Sequence, residues 1–184
     1  MSKDIFNAQA IIRFWFSDIE QKFWWKKNPQ FDAYLKHRFG RLHQQAVLGE
    51  LAEWRDTAQG RLAEVIILDQ FSRNIYRDKS QAFAADSMAL ALSQEAVRLG
   101  ADDELTQQQC IFLYMPYMHS ESPAVHEQAV ELFTKLGRPG NLDFELRHKV
   151  IIDQFGRYPH RNKILGRPST AEEKVFLSQP GSSF

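Results

Sequence analysis

Leu62-Ala63-Glu64-Val65-Ile66-Ile67-Leu68-Asp69-Gln70-Phe71 is the stretch on which the fold turns. Taken alone, Val65–Leu68 suits a buried strand as well as a helix, because a short apolar run carries no period of its own. Its surroundings decide for helix. The run extends back to Leu62, Gly60 stands just before it, and helical periodicity flanks it on both sides. Upstream, Asp4–Phe16 carries Ala8, Ile11, Ile12 and Trp15 at i, i+3, i+4 and i+7 spacing, and Pro29–Leu48 repeats the pattern up to Gly49. Downstream, Phe83–Leu99, Glu104–Met118, Pro123–Leu136 and Leu142–Phe155 read as further helices, stopped by Gly100, Gly137 and Gly156 or interrupted near the end by Pro116. Ser122-Pro123 suits a helix start and Arg138-Pro139-Gly140 a turn. Ser169 or Thr170 caps a last short helix with Glu172 and Glu173 in its first turn. The expected fold is all-α, a single domain over residues 1–178 with about seven to nine helices, followed by a flexible tail over 179–184.

The deciding stretch occurs twice. Ile67-Leu68-Asp69-Gln70-Phe71-Ser72-Arg73 aligns with Ile151-Ile152-Asp153-Gln154-Phe155-Gly156-Arg157 at an offset of 84 residues, with Leu62 over Leu146 and Arg77 over Arg161. Each copy ends an apolar helix and enters a basic loop. This predicts two related helices with their C-terminal ends close in space. It also predicts that Asp69 and Asp153 are each at least partly buried on an arginine or on free N–H groups. A weaker repeat, Gln94–Gly100 (QEAVRLG) against Glu131–Gly137 (ELFTKLG), has a period of 37 residues. That period is near the one of tetratricopeptide helix hairpins, whose full signature is missing. The expected layout is therefore a stack of antiparallel helix hairpins, tetratricopeptide-like.

With these strings assembled, the chain resembles the bacterial family known as domain of unknown function 924. The resemblance rests on Phe14-Trp15-Phe16, Phe31-Asp32, Leu68–Arg77 (LDQFSRNIYR), Tyr114–Glu121 (YMPYMHSE), Phe155–Asn162 (FGRYPHRN) and Leu165-Gly166-Arg167, which together span nearly the whole chain. Members usually place an aspartate and a glutamine soon after the His-Ser-Glu, whereas this chain reads Ser122-Pro123-Ala124-Val125-His126-Glu127-Gln128. The resemblance implies an α-helical, tetratricopeptide-like fold and no particular activity.

Composition narrows the partners. Among 184 residues, 23 Lys and Arg balance 23 Asp and Glu, and 43% are hydrophobic. A neutral chain is a poor coat for nucleic acid or for an anionic membrane, so neither is expected as a partner. The longest apolar stretch, Cys110–Met118, is roughly half of a bilayer span and contains Pro116. The N-terminal segment has no uninterrupted apolar core of a leader, and the single cysteine, Cys110, excludes an intrachain disulfide. A cytoplasmic location is expected, with Cys110 as a small buried hydrophobe.

Within that neutral chain, donors concentrate in two loops: Arg73, Asn74 and Arg77 in one, Arg157, His160, Arg161, Asn162 and Arg167 in the other. Guanidinium forks bind carboxylate or phosphate bidentately, so the loops suggest an anion pocket between the two helix ends. The bland alternative is helix capping and local i, i+4 pairs. His119-Ser120-Glu121 follows the aromatic helix end at Tyr114 and Tyr117. His119, Glu121 and His160 are the candidate acid–base groups, and Tyr117, with Tyr76 and Tyr158, supplies apolar contact. Ser120 lacks the Gly-x-Ser-x-Gly setting of an activated nucleophile. His119, Glu121, His126, His148 and His160 show no zinc spacing, and no Gly-rich phosphate loop occurs, so no metal and no cofactor is expected. The aromatic triplets Phe14–Phe16 and Phe23–Trp25 read as core. Two functional classes stand. One is a pocket for a small anionic ligand, with or without chemistry on it. The other is a helical scaffold whose groove holds a peptide or protein partner.

Overall fold

The computed structural model describes residues 6–183. They form ten α-helical segments: α1 (Ala8–Arg13), α2 (Lys22–Trp25), α3 (Pro29–Val47), α4 (Ala58–Ile66), α5 (Ser72–Ile75), α6 (Asp86–Arg98), α7 (Gln107–Met118), α8 (Pro123–Leu136), α9 (Pro139–Phe155) and α10 (Ala171–Leu177). No strand occurs among the described residues. A π-helical turn, Ile67–Phe71, joins α4 to α5 without a break, so these segments make nine rods in an all-α fold. The predicted start of the first helix at Asp4 lies outside the described residues.

The deciding stretch is helical, as its flanks require, and it is the centre of the molecule. Thr57 caps it by accepting from Gly60 N at 3.0 Å. Leu62, Ala63, Val65, Ile66, Ile67, Leu68 and Phe71 are all fully buried. A helix that is apolar all round must be surrounded, and α4 packs on α1, α6 and α7. Glu64 is 0% exposed and accepts from Arg55 Nε and Nη2 at 2.7 Å each. The aromatic triplets split between core and edge. Phe14 and Trp15 are buried against Phe71, whereas Trp25 is more than half exposed.

In the C-terminal half, α7, α8 and α9 pack as consecutive neighbours. The stops predicted at Gly100, Gly137 and Gly156 are real, with φ of 73°, 71° and 66°, a left-handed conformation in which a Cβ is strained. Several boundaries differ from expectation. Thr106 starts α7 through a capping box with Gln109. Pro139 opens α9 instead of turning before it, and Ser122 precedes α8 without a capping bond from its side chain. Ser80–Phe83 is a separate 3-10 turn ahead of α6. The cap of α10 is Thr170, again through a capping box, with Glu173. In the tail, Ser182 is buried and its Oγ donates to Leu177 O at 3.3 Å.

Candidate functional site

The two copies of the Asp-Gln-Phe-x-Arg string do different jobs. In the first, the π turn widens the winding just where Asp69 and Gln70 sit. Asp69 faces inward, 1% exposed, with Arg73 Nη1 3.1 Å from its Oδ1. The second copy is regular α-helix to its end. Ile151 and Ile152 are buried like their counterparts, but Asp153 is exposed and pairs with Lys149. Leu146, the counterpart of Leu62, is 43% exposed. The expectation that both aspartates are buried therefore fails for Asp153, because no π turn rotates it inward.

The arginine loops are likewise divided among separate tasks. Arg77 and Asn74 turn away toward α3: Arg77 Nε and Nη2 donate to Asp32 at 2.6 and 3.0 Å, and Asn74 Nδ2 at 2.8 Å. Arg157 clamps Glu173 at 2.6 and 2.9 Å, and Asn162 donates to Glu173 and Ser169. Arg157 and the Thr170 amide, against burial, hold the Glu173 carboxyl down to about 2. These bonds fasten α10 onto the 157–167 segment. Tyr117 is buried in the core, its hydroxyl pushed up to about 12 by burial. The predicted donors of the two loops do not converge on a single pocket with Tyr117 as its wall.

What the fold does bring together is His119, Glu121 and Arg161, which line one cleft of about 300 Å³ with Phe83, Asp86, Leu90, Pro116 and Leu165. The end of α7 delivers His119, the start of α6 delivers Asp86, and a 3-10 turn, Pro159–Arg161, delivers Arg161. Arg161 lies between two rings, 4.7 Å from the centre of Phe83 and 4.5 Å from that of Tyr158. Its side chain is 7% exposed. Nη1 donates to His119 O at 3.1 Å, while Nε, buried, has no hydrogen-bond partner among the described residues. Asp86 stands 3.5 Å away but is held by both terminal nitrogens of Arg73 at 3.0 and 3.1 Å. Burial and the charge of Arg73 push the Arg161 guanidinium below its ordinary value.

His119 Nδ1 stands 2.7 Å from Asp69 Oδ1. Gln70 Nε2 donates to the other oxygen of Asp69 at 2.6 Å. Burial pushes Asp69 up, but Arg73, His119 and Gln70 outweigh it and hold the carboxyl well below the usual carboxylate range. Burial and Arg73 push His119 below the ordinary histidine value, against the pull of Asp69. The site is thus an ionised aspartate beside a neutral imidazole. Glu121 accepts from Tyr158 N at 2.8 Å and from Arg167 at 2.6 and 2.9 Å, which fixes the turn after α7. Under that turn, His126 Nε2 donates to Ser120 O at 2.9 Å and its Nδ1 meets Glu145 at 2.6 Å. His160 sits beside Tyr158, ring centres 5.5 Å apart, and burial lowers it to about 4.

Charge around the cleft balances: Arg73, Arg161 and Arg167 against Asp69, Asp86 and Glu121. Sequence reading did not find Asp86 or Phe83, because neither belongs to a string that repeats. The link from Asp69 to His119, 50 residues on, carries no local signal either. Among the described residues no group of three or more His, Cys, Asp or Glu side chains is placed to hold a metal ion, and no helix is long and apolar enough to cross a membrane.

Comparison with known proteins adds a family. The family model described as "Bacterial protein of unknown function (DUF924)" matches residues 11–181. The solved structure of a protein of unknown function from Agrobacterium tumefaciens, ATU0120, is 35% identical, with a TM-score of 0.88 over 93% of this chain and 96% of that one. No curated protein matches.

Proposed function

Because the chain belongs to the bacterial DUF924 family, whose description assigns no activity, we propose from its own residues that the cleft beside His119 binds a small molecule through a carboxylate or phosphate on Arg161. One observation carries this reading: a guanidinium 7% exposed, with the rings of Phe83 and Tyr158 at 4.7 and 4.5 Å, lines the cleft, and among the described residues its Nη2 is neither hydrogen-bonded nor buried without a partner. A charge-assisted bond from Nη2 to a carboxylate or phosphate in the cleft would use that donor. Phe83, Leu90, Pro116 and Leu165 offer the apolar contact that a single charge-assisted bond, about 1.5–3 kcal/mol, cannot replace. A cleft of about 300 Å³ suits a metabolite-sized ligand. A cytoplasmic location belongs to the same reading, supported by one cysteine that is buried and unpaired.

The test is calorimetry with inorganic phosphate, acetate, butyrate and a panel of phosphorylated and carboxylated metabolites. We expect binding to the wild type and at least about a tenfold loss in Arg161→Gln, the effect of roughly one such hydrogen bond, with the melting temperature of Arg161→Gln confirming that it folds. Arg147→Ala, at an exposed pair with Asp143, should bind as the wild type does. Equal binding by Arg161→Gln overturns the reading. Peptide-library binding without any metabolite binding favours the helical scaffold instead.

A further inference from the structure

We propose that this cleft is hydrolytic: His119 acts as general base on a water molecule that attacks the acyl carbon of a short carboxylic ester, and Arg161 receives the oxyanion. The proposal rests on the reading of Arg161 as the anion-binding group, and its product, a carboxylate, belongs to the ligand class assigned there.

Geometry fixes the roles. Asp69 is ionised and accepts from His119 Nδ1 at 2.7 Å, so the neutral imidazole carries its proton on Nδ1 and its lone pair on Nε2. His119 lines the cleft, its side chain is 16% exposed, and among the described residues Nε2 is neither hydrogen-bonded nor buried without a partner. The proton-accepting nitrogen is therefore available from the solvent side. Asp69 is a positioning residue, itself pinned by Gln70 and Arg73. Arg161 is anchored to the backbone oxygen of the same His119 at 3.1 Å, which ties the oxyanion donor and the base to one residue. The two flanking rings prevent the guanidinium from swinging away. Such a preset donor stabilises a charge that develops during reaction without reorganising.

The identity of the nucleophile follows from what His119 touches. No Ser, Thr or Cys side chain is hydrogen-bonded to its ring among the described residues, so water is the reactant to be activated. An open cleft favours that choice over carbanion chemistry, which needs water excluded. In the addition step His119 Nε2 takes a proton from water as the water oxygen bonds to the acyl carbon, and the carbonyl electron pair moves onto oxygen beside Arg161. In the collapse step the acyl–oxygen bond to the leaving alcohol breaks, and the departing oxygen takes the proton from Nε2. One water is consumed, an acid and an alcohol are released, and nothing is oxidised or reduced. The acyl chain lies against Leu90, Pro116 and Leu165.

The experiment is hydrolysis of p-nitrophenyl acetate and butyrate by the full chain, read as kcat/KM. His119→Gln is expected to lose about a hundredfold or more, and Arg161→Gln about a hundredfold. Exposed imidazoles hydrolyse such esters slowly, so His37→Asn, at an exposed position on α3, is the control and should match the wild type. Asp69→Asn, which reverses the preferred tautomer, should lower kcat more than it raises KM. Without any variant, the wild-type rate should rise with pH to a plateau through one ionisation below the ordinary histidine value. Asp69, Arg73, Asp86, Glu121, Arg161, His148 and His160 are the charged and titratable groups around that ring. A wild type no faster than buffer, full activity in His119→Gln, or a profile without that ionisation overturns the proposal. Butyrate binding that depends on Arg161 without any turnover removes the hydrolysis and leaves the binding reading standing. Turnover that needs His119 but is indifferent to Arg161→Gln removes the oxyanion role of Arg161, while its role in binding is decided by the calorimetry.

Discussion

Asp69 is 1% exposed and is held by Arg73, His119 and Gln70. Its sequence counterpart, Asp153, is exposed beside Lys149. The two carboxylates therefore differ in kind. Removing one partner from a buried charged network costs on the order of 3–5 kcal/mol, whereas an exposed i, i+4 pair contributes about 0.3–0.5 kcal/mol. Asp69→Ala should lower the urea midpoint severely, and Asp153→Ala should leave it within error. Equal effects in the two variants would show that the π turn does not separate their environments. At this scale the sequence was legible where chemistry is local: Thr170 with Glu173, and Asp69 with Arg73 one turn on. It was silent where two residues meet only through the fold, as His119 meets Asp69, or where an arginine is consumed by a distant acid, as Arg77 is by Asp32.

The central rod shows how an element is shaped by what it touches. Helix periodicity predicted Leu62–Phe71, and the observed rod covers it but begins at Ala58 and continues through Ile75. A π turn needs one backbone bond pattern to give way to another, and no residue type marks it. The two π turns among the described residues meet in the core: Phe71 packs on Phe14 and Trp15, which stand in the other, Phe14–Asp18. Gly60 belongs to the same rod and is fixed by contact, since a Cβ there would lie 1.7 Å from Trp54 O and 2.7 Å from its carbonyl carbon. That backbone belongs to the 3-10 turn carrying Arg55 onto Glu64. In a free helix, Gly→Ala stabilises by about 0.4–1 kcal/mol, as Gly40→Ala on α3 should, because nothing lies within 4 Å of its Cβ position. Gly60→Ala should reverse the sign and destabilise by about 1–3 kcal/mol through overpacking. Thermal unfolding of the two variants measures the contrast directly, and a stabilised Gly60→Ala refutes the contact.

At the scale of the molecule, α8, α9 and the 157–167 segment are joined to the end of α7 by buried polar groups instead of apolar ones alone. His126 and Glu145 are both 0% exposed, and Tyr158 spans from His126 to Met118 O. The same groups hold the His119-Ser120-Glu121 turn, so the cleft and this half of the fold share one set of bonds. Burial lowers His148 to about 3 and His160 to about 4. An unfolded chain protonates both from about pH 6.5 downward, while the folded chain keeps them neutral until those lower values. Between these limits the unfolded state binds more protons, so stability is full above about pH 6.5 and falls as pH drops toward 4. At about 1.4 kcal/mol per unit, two such histidines withdraw on the order of several kcal/mol. Glu173, held down to about 2 chiefly by Arg157, adds its own loss below the ordinary carboxylate value. The urea midpoint should therefore decline in two stages, the first well above the range where carboxylates titrate. His148→Asn should flatten the first stage and leave the second, and a midpoint that holds constant from pH 6.5 to 5 would mean that these histidines are not kept neutral by the fold.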